Sequence, residues 1–172
     1  MPKSSPIRIF LDSSILRVFT LGNNALSSLV MLPLIGCPIE IVLSSYTLSE
    51  TLEVLSRPNV PPKARIAVIQ GLAFAILQGD WHVHLEDPDP AVVEAMGQYC
   101  RDEKDWPVLA DAQAEACDFV LTYDHDLLEM GDESPIRCID PETLGSIFEN
   151  DPDIQTVVAQ VEAEFKNLTP TS

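Results

Sequence analysis

The sequence predicts an α/β domain of three layers, a parallel sheet flanked by helices on both faces. Three observations predict it. Short β-type apolar runs alternate with segments of helical period along the chain. The gaps between successive strands are long enough for crossover helices, as parallel pairing requires. At 172 residues with 46% hydrophobic content, the chain suits one domain with a real core.

The elements follow in order. Ile7-Arg8-Ile9-Phe10-Leu11 is a strand ending at Asp12. A helix is expected from Ser14, broken by Gly22, and a second helical piece over Ala25–Leu32, stopped by Pro33. Ile39–Leu43 reads as a buried strand, after which Ser44 or Ser45 caps a helix from Tyr46 to Leu55. Leu48, Leu52 and Leu55 form its expected core stripe. Arg57-Pro58-Asn59 ends it and Pro61-Pro62 opens the next helix. That helix carries Ile66, Ile69, Leu72, Ala73 and Ile76 as its stripe and closes at Gly79. Trp81–Leu85 is the third strand. Asp87-Pro88-Asp89-Pro90 turns into a helix from Ala91 to about Cys100, and another spans Trp106–Ala116. Phe119–Thr122 is a strand, Asp126–Met130 a short helix and Ile136–Ile139 a last strand. Residues 1–148 read as one domain. Residues 149–172 read as an acidic C-terminal segment, helical over 151–166.

Composition excludes several classes. The longest apolar stretch, Leu29 to Leu43, is interrupted by Pro33, Gly36, Pro38 and Glu40, whereas a bilayer span needs about 20 apolar residues. With no secretory h-region at the N-terminus, a cytoplasmic protein is expected. Cys37, Cys100, Cys117 and Cys138 are scattered without a C-x-x-C pair, so they read as buried thiols. The net charge is −17, which repels polyanions. It is uneven: residues 1–80 hold six Lys/Arg against five acids, residues 81–172 four against 22. Acid-rich surfaces also serve solubility.

Sites in open parallel sheets form at the carboxyl ends of strands. Asp12 ends the first strand and Asp124 lies just beyond Phe119–Thr122. Asp is common in turns and caps, so neither is diagnostic alone. Asp105 shares a helical face with Val108, Leu109, Ala112 and Ala116, which aims it into the fold. It also suits the N-cap before Trp106-Pro107. Glu50 stands roughly 160–200° from Leu48 and Leu52 at about 100° per residue. It matters only if that face borders the carboxyl edge of the sheet. Converging carboxylates repel unless a cation joins them. Magnesium or manganese held by carboxylates can activate a water for in-line displacement at a phosphodiester.

The motifs resemble those of the PIN-domain nuclease family, in its bacterial toxin-like branch. They are Leu11-Asp12-Ser13-Ser14-Ile15-Leu16; Leu43-Ser44 followed by Glu50-Thr51-Leu52-Glu53-Val54-Leu55-Ser56-Arg57-Pro58; Asp105-Trp106-Pro107-Val108-Leu109-Ala110; and Phe119 through Leu128. The resemblance covers residues 7–140. It implies a Rossmann-like sheet and a divalent-metal-dependent endoribonuclease using Mg2+ or Mn2+. Asp12, Glu50, Asp105 and Asp124 would be its acidic quartet, with Asp126 an accessory metal ligand and Ser14 and Thr122 polar support. Ser14 stands where the family often has Asn. RNA as substrate, a small antitoxin-like protein and a homodimer are the partners it implies.

Arg17, Arg57, Lys63, Arg65 and Lys104 are candidates for phosphate contacts. Trp106 suits helix-start packing or stacking on a base. His125 lies between two acids and is expected to be exposed. His82 and His84 share one side of a strand, a metal-ligand spacing with no third ligand nearby in the sequence. Two other functions compete. One is a catalytically weak PIN-like interaction module with a basic protein partner, suggested by the acidic second half. The other, a haloacid-dehalogenase-type phosphatase, wants an Asp two residues after the first, where Ser14 stands.

Overall fold

The computed structural model describes residues 5–18, 29, 32–79, 81–131 and 134–168. The described strands are β1 (Ile7–Leu11), β2 (Ile39–Ser44), β3 (His82–His84), β4 (Phe119–Leu121) and β5 (Arg137–Ile139). They form one parallel sheet in the order β3-β2-β1-β4-β5. The order reverses at β1, whose Ile9 aligns with Ile41 of β2 on one side and Phe119 of β4 on the other. The switch point therefore lies between the carboxyl ends of β1 and β4, where Asp12 and Asp124 stand.

The side-chain period of two sorts each strand between two cores. Ile9, Leu11, Ile39, Ile41, Leu43 and Leu121 enter one, Phe10, Val42 and Val120 the other. The first core is covered by α1 (Ser13–Val18), α2 (Ser45–Ser56), α3 (Pro62–Gln78), α7 (Pro141–Asn150) and α8 (Pro152–Leu168). Ile15, Leu16, Leu55, Val68, Leu72, Ala75, Leu144 and Ile154 supply its contacts. The second is covered by α4 (Pro90–Ala95), α5 (Trp106–Ala114) and α6 (His125–Leu128). Val108, Leu109, Ala110, Ala112 and Leu127 are buried there. The three-layer parallel α/β architecture is the one expected.

Two core stripes differ from expectation. On α2 the buried residues are Thr47, Thr51 and Leu55, while Leu52 is 49% exposed. The threonines tolerate burial because their hydroxyls are satisfied. The Ser44 and Thr47 side chains form a reciprocal capping box, and Thr51 Oγ1 donates to the Thr47 carbonyl at 2.7 Å. On α3 the buried residues are Val68, Gly71, Leu72 and Ala75, whereas Ile66 (54%), Ile69 (43%) and Ala73 are exposed. The helix is rotated by about one residue's step, ~100°, from the expected phase. It is apolar around most of its circumference, so periodicity alone admits both phases. The small Gly71 and Ala75 lie on the buried face beside Val68 and Leu72.

Boundaries shift as well. Leu32–Leu34 are helical, so Pro33 does not end that piece. Gly22 and Ala25–Ser28 lie outside the described residues. The helix opened by Pro90 stops at Ala95 and tightens into a 3-10 turn, Met96–Gln98. The α5 helix ends at Ala114, and Ala116 turns out at a left-handed φ of 49°. Helix α6 starts at His125 and ends at Leu128. Between β5 and the terminal helix a further helix, α7, was not expected. It is capped by Asp140, which accepts the Thr143 N–H at 2.7 Å. Ile154 of α8 is 1% exposed and belongs to the first core. All four cysteines are free thiols; Cys37 and Cys100 are buried as expected, whereas Cys117 and Cys138 are only partly buried. No helix among the described residues is long and apolar enough to cross a membrane.

Candidate functional site

Asp12 follows β1 directly and is 4% exposed. Its backbone N–H donates to the Leu121 carbonyl at 3.1 Å, extending the β1–β4 ladder by one bond. Three donors converge on its Oδ2: the Ser14 N–H at 3.1 Å, the Ser14 hydroxyl at 2.5 Å and the Thr122 hydroxyl at 2.9 Å. None of the hydrogen bonds among the described residues falls on Oδ1. One oxygen is thus clamped, and the other keeps its lone pairs for a cation.

Ser14 and Thr122 link the two strand ends further. Their hydroxyls lie 3.2 Å apart. Ser14 Oγ accepts the Tyr123 N–H at 2.9 Å, and Thr122 Oγ1 accepts the Asp124 N–H at 2.8 Å. Asp124 caps α6 by accepting the Asp126 N–H at 2.8 Å. Capping occupies Oδ1 of Asp124 and orients the side chain at the mouth of the helix. The Ser at position 14 therefore fits locally, reaching both Asp12 and the β4 loop.

Asp105 sits at the start of α5, yet its side chain makes no capping bond. Its carboxylate instead accepts from the Cys100 thiol at 3.7 Å. Burial pushes the Asp105 carboxyl up to about 7. Asp124, Asp12 and Asp102 add repulsion, and the Cys100 contact opposes the rise. Asp12, Asp105 and Asp124 thus share one electrostatic neighbourhood, although they come from three separated segments.

The rotation of α2 changes the position of Glu50. At about 100° per residue it lies ~60° from Thr47, so it borders the buried face and is partly buried. It shares a groove with Tyr46, Ser49, Glu53, Val54, Arg57 and Lys104. Tyr46 joins this groove to the other acids. Its hydroxyl donates to the Lys104 carbonyl at 2.8 Å. Burial, then Glu50, Asp105, Asp102 and Asp12, hold its pKa above the ordinary value.

The basic residues divide. Arg57 and Lys104 flank Glu50 in the groove. Arg17 donates to its own helix at the Ser13 carbonyl, 3.2 Å away. Arg65 donates to the Arg57 and Val60 carbonyls, both at 3.4 Å, and Lys63 is exposed on the first turn of α3. Asp126 is exposed beside Asp124, and His125 is exposed as expected. Trp106 packs at the start of α5, its indole N–H donating to the Cys100 carbonyl at 2.9 Å.

Tyr46 and Asp102 were not singled out in the sequence. Tyr46 stands four residues before Glu50, on the same helix face, a spacing that would have drawn attention to it. Asp102 caps the turn carrying Asp105, accepting the Lys104 N–H at 3.0 Å. Burial raises the thiols of Cys100, to about 11, and of Cys117 and Cys138, to about 12. They are protonated at neutral pH and are poor nucleophiles.

The donors fit a hard divalent cation, being carboxylate oxygens with one free oxygen on the most buried acid. They are gathered rather than closed on one point. Among the described residues, no three His, Cys, Asp or Glu side chains already stand around a metal-sized volume.

Comparison with known proteins agrees with this architecture. The profile of the PIN domain family matches residues 8–126. The structure is similar to that of PAE2754 from Pyrobaculum aerophilum, with 17% identity and a TM-score of 0.55, covering 89% of this chain and 96% of that one. It is also similar to FitAcB from Neisseria gonorrhoeae, with 16% identity, a TM-score of 0.53 and coverage of 78% and 98%. A structure of FitAB bound to an IR36 DNA fragment gives 14% identity, 0.52, and coverage of 77% and 94%. None of the curated proteins compared with the sequence matches it.

Proposed function

Because the chain belongs to the PIN-domain family, we propose that it is a divalent-metal-dependent endoribonuclease whose site is built from Asp12, Glu50, Asp105 and Asp124. The observation that supports this most directly is the treatment of Asp12. Three donors saturate one of its oxygens while Asp105 and Asp124 repel across the same space. A fold that spends buried hydrogen bonds on positioning mutually repelling carboxylates gains from it when a cation joins them.

Asp12, Asp105 and Asp124 would hold the ion, with Glu50 on the side facing the groove and Asp126 at its exposed rim. Bound magnesium or manganese would supply Lewis-acid charge and a water of lowered pKa. Ser14 and Thr122 fix Asp12 and the Asp124 backbone, so the ligand geometry is set before substrate arrives. Arg57 and Lys104 would offset phosphate charge beside Glu50. Their local positive charge answers the net −17 that would otherwise repel a polyanion. Arg17, Lys63 and Arg65 lie outside this groove and would act only as peripheral phosphate contacts.

The experiment is RNA cleavage by pure protein in manganese, compared with an Asp12→Asn/Asp105→Asn variant. Cleavage by the parent and its loss in the variant is the expected result. Equal cutting by both sinks the assignment.

A second reading is favoured by α3, whose outward line Ile66, Ile69, Ala73 and Leu77 is exposed, Leu77 at 76%. Such a stripe suits a protein partner. A small antitoxin-like protein or a second copy of the chain would then regulate the nuclease. A PIN-like interaction module without catalysis would use the same surface and would cut no RNA.

A further inference from the structure

His82 and His84 lacked a third ligand in the sequence, and folding brings one to them. Both project from the same side of β3. Glu115, the residue that follows the last turn of α5, lies against both: His84 Nδ1 is 2.7 Å from its Oε1 and His82 Nε2 is 3.4 Å from its Oε2. Asp111 stands one helical turn earlier, its carbonyl accepting the Glu115 N–H at 2.9 Å. The Asp111 side chain is 1% exposed, and neither of its oxygens has a hydrogen-bond partner. Burial raises the pKa of this carboxyl, and the nearby Ser44 hydroxyl and His84 oppose the rise.

We propose that His82, His84 and Glu115, with Asp111 as fourth donor, form a second cation site that takes a transition-metal ion of the zinc class. Residues at i and i+2 on a strand share one side, and residues at i and i+4 on a helix share one face. Zinc bonds to nitrogen or oxygen of about 2.0–2.1 Å in a tetrahedron set neighbouring ligand atoms about 3.3 Å apart. The two measured separations bracket that value. In the described conformation the imidazoles close directly on the Glu115 carboxylate, and no three such side chains among the described residues stand around a metal-sized volume. Binding therefore needs His84 and Glu115 to part by roughly 0.6 Å, with the His82 ring, whose side chain is 47% exposed, free to turn with them.

Charge favours a divalent occupant. Arg8 is the guanidinium that faces this cluster, donating to Glu40 and to Glu115. Around the cluster stand three carboxyl groups, Glu40, Asp111 and Glu115, against the Arg8 guanidinium. Arg8 holds the Glu115 carboxylate through Oε2, while Oε1 is the oxygen that His84 meets. Imidazole nitrogens select zinc, nickel or copper over magnesium. The acidic quartet, all oxygen, selects the reverse. The two sites sit at opposite ends of α5, about 15 Å apart at 1.5 Å per residue.

The test uses the full chain as an Asp12→Asn/Asp105→Asn variant, which silences the quartet. It is stripped with chelator and titrated with zinc alone by calorimetry. Cobalt is added separately and read by its visible absorption. The expected result is one zinc per chain, a cobalt spectrum of nitrogen–oxygen ligation, and release of protons on binding. Magnesium in excess does not compete. Adding His82→Ala/His84→Ala, or Glu115→Gln alone, weakens zinc on the order of tenfold or more. Circular dichroism checks that each variant is folded. Zinc binding that is absent, or unchanged in both folded variants, overturns the proposal. That outcome leaves the nuclease assignment untouched, because cleavage is measured through the other site.

Discussion

Replacing Asp105 by Asn should stabilise the metal-free protein, and only above mildly acidic pH. Burial, followed by repulsion from Asp124, Asp12 and Asp102, raises this carboxyl from 3.8 to about 7. Between those values the native state keeps a proton that the unfolded chain has lost. Native stability therefore falls as pH rises across that window and levels off above it. Each pH unit of the window costs about 1.4 kcal/mol, for an upper bound of about 4 kcal/mol. Solvent access to a half-buried carboxyl roughly halves this, to about 2 kcal/mol. Asparagine has no such proton to lose. In a chain of this size the gain corresponds to a Tm about 4–8 °C higher at pH 8, with little difference near pH 4. Thermal melts of parent and variant in chelator from pH 4.5 to 8.5 measure the gap directly. Titrating groups outside the cluster cancel in the difference. Manganese should then reverse the order, because the ion favours the ionised ligand that the variant lacks. A gap that is constant with pH, or that shrinks as pH rises, would refute the electrostatic coupling of the three acids.

Thr122→Val keeps the side-chain shape but removes the hydroxyl that donates to Asp12 and accepts from the Asp124 N–H. Losing a buried hydrogen bond to a charged group should cost about 1.5–3 kcal/mol, read as a lower urea midpoint with an unchanged m-value. It should also weaken manganese binding. Gly97→Ala would bring a Cβ to 2.7 Å from the Trp106 ring, which its bond to the Cys100 carbonyl holds in place. A loss of about 1–3 kcal/mol is expected, together with weaker manganese binding as the start of α5 shifts beneath Asp105. Unchanged melting and metal affinity would show that this packing does not position the acid.

The strand order of chemistry was legible along the chain. Alternating apolar runs and helical periods determined a parallel α/β sheet, because burial of both faces by crossover helices leaves few other solutions. Asp12 and Asp124 stood out as acids just past strand ends, and the motif order pointed to the family. Helix rotation was not legible on α2 and α3. Both carry apolar residues on more than one face, and the choice fell to a face of α2 whose hydroxyls the capping geometry satisfied and to a face of α3 that holds the small Gly71 and Ala75. That choice moved Glu50 from an outward position to the border of the buried face and left Ile66, Ile69 and Leu77 in solvent. Asp105's inward phase was legible, but not that it would leave the cap unmade and meet the Cys100 thiol and the charges of Asp12, Asp102 and Asp124. The third ligand for His82 and His84 lies about thirty residues away, beyond any local pattern. Local sequence sets which residues a segment can bury; which face it does bury, and which charges then meet, depends on neighbours that only the folded chain brings together.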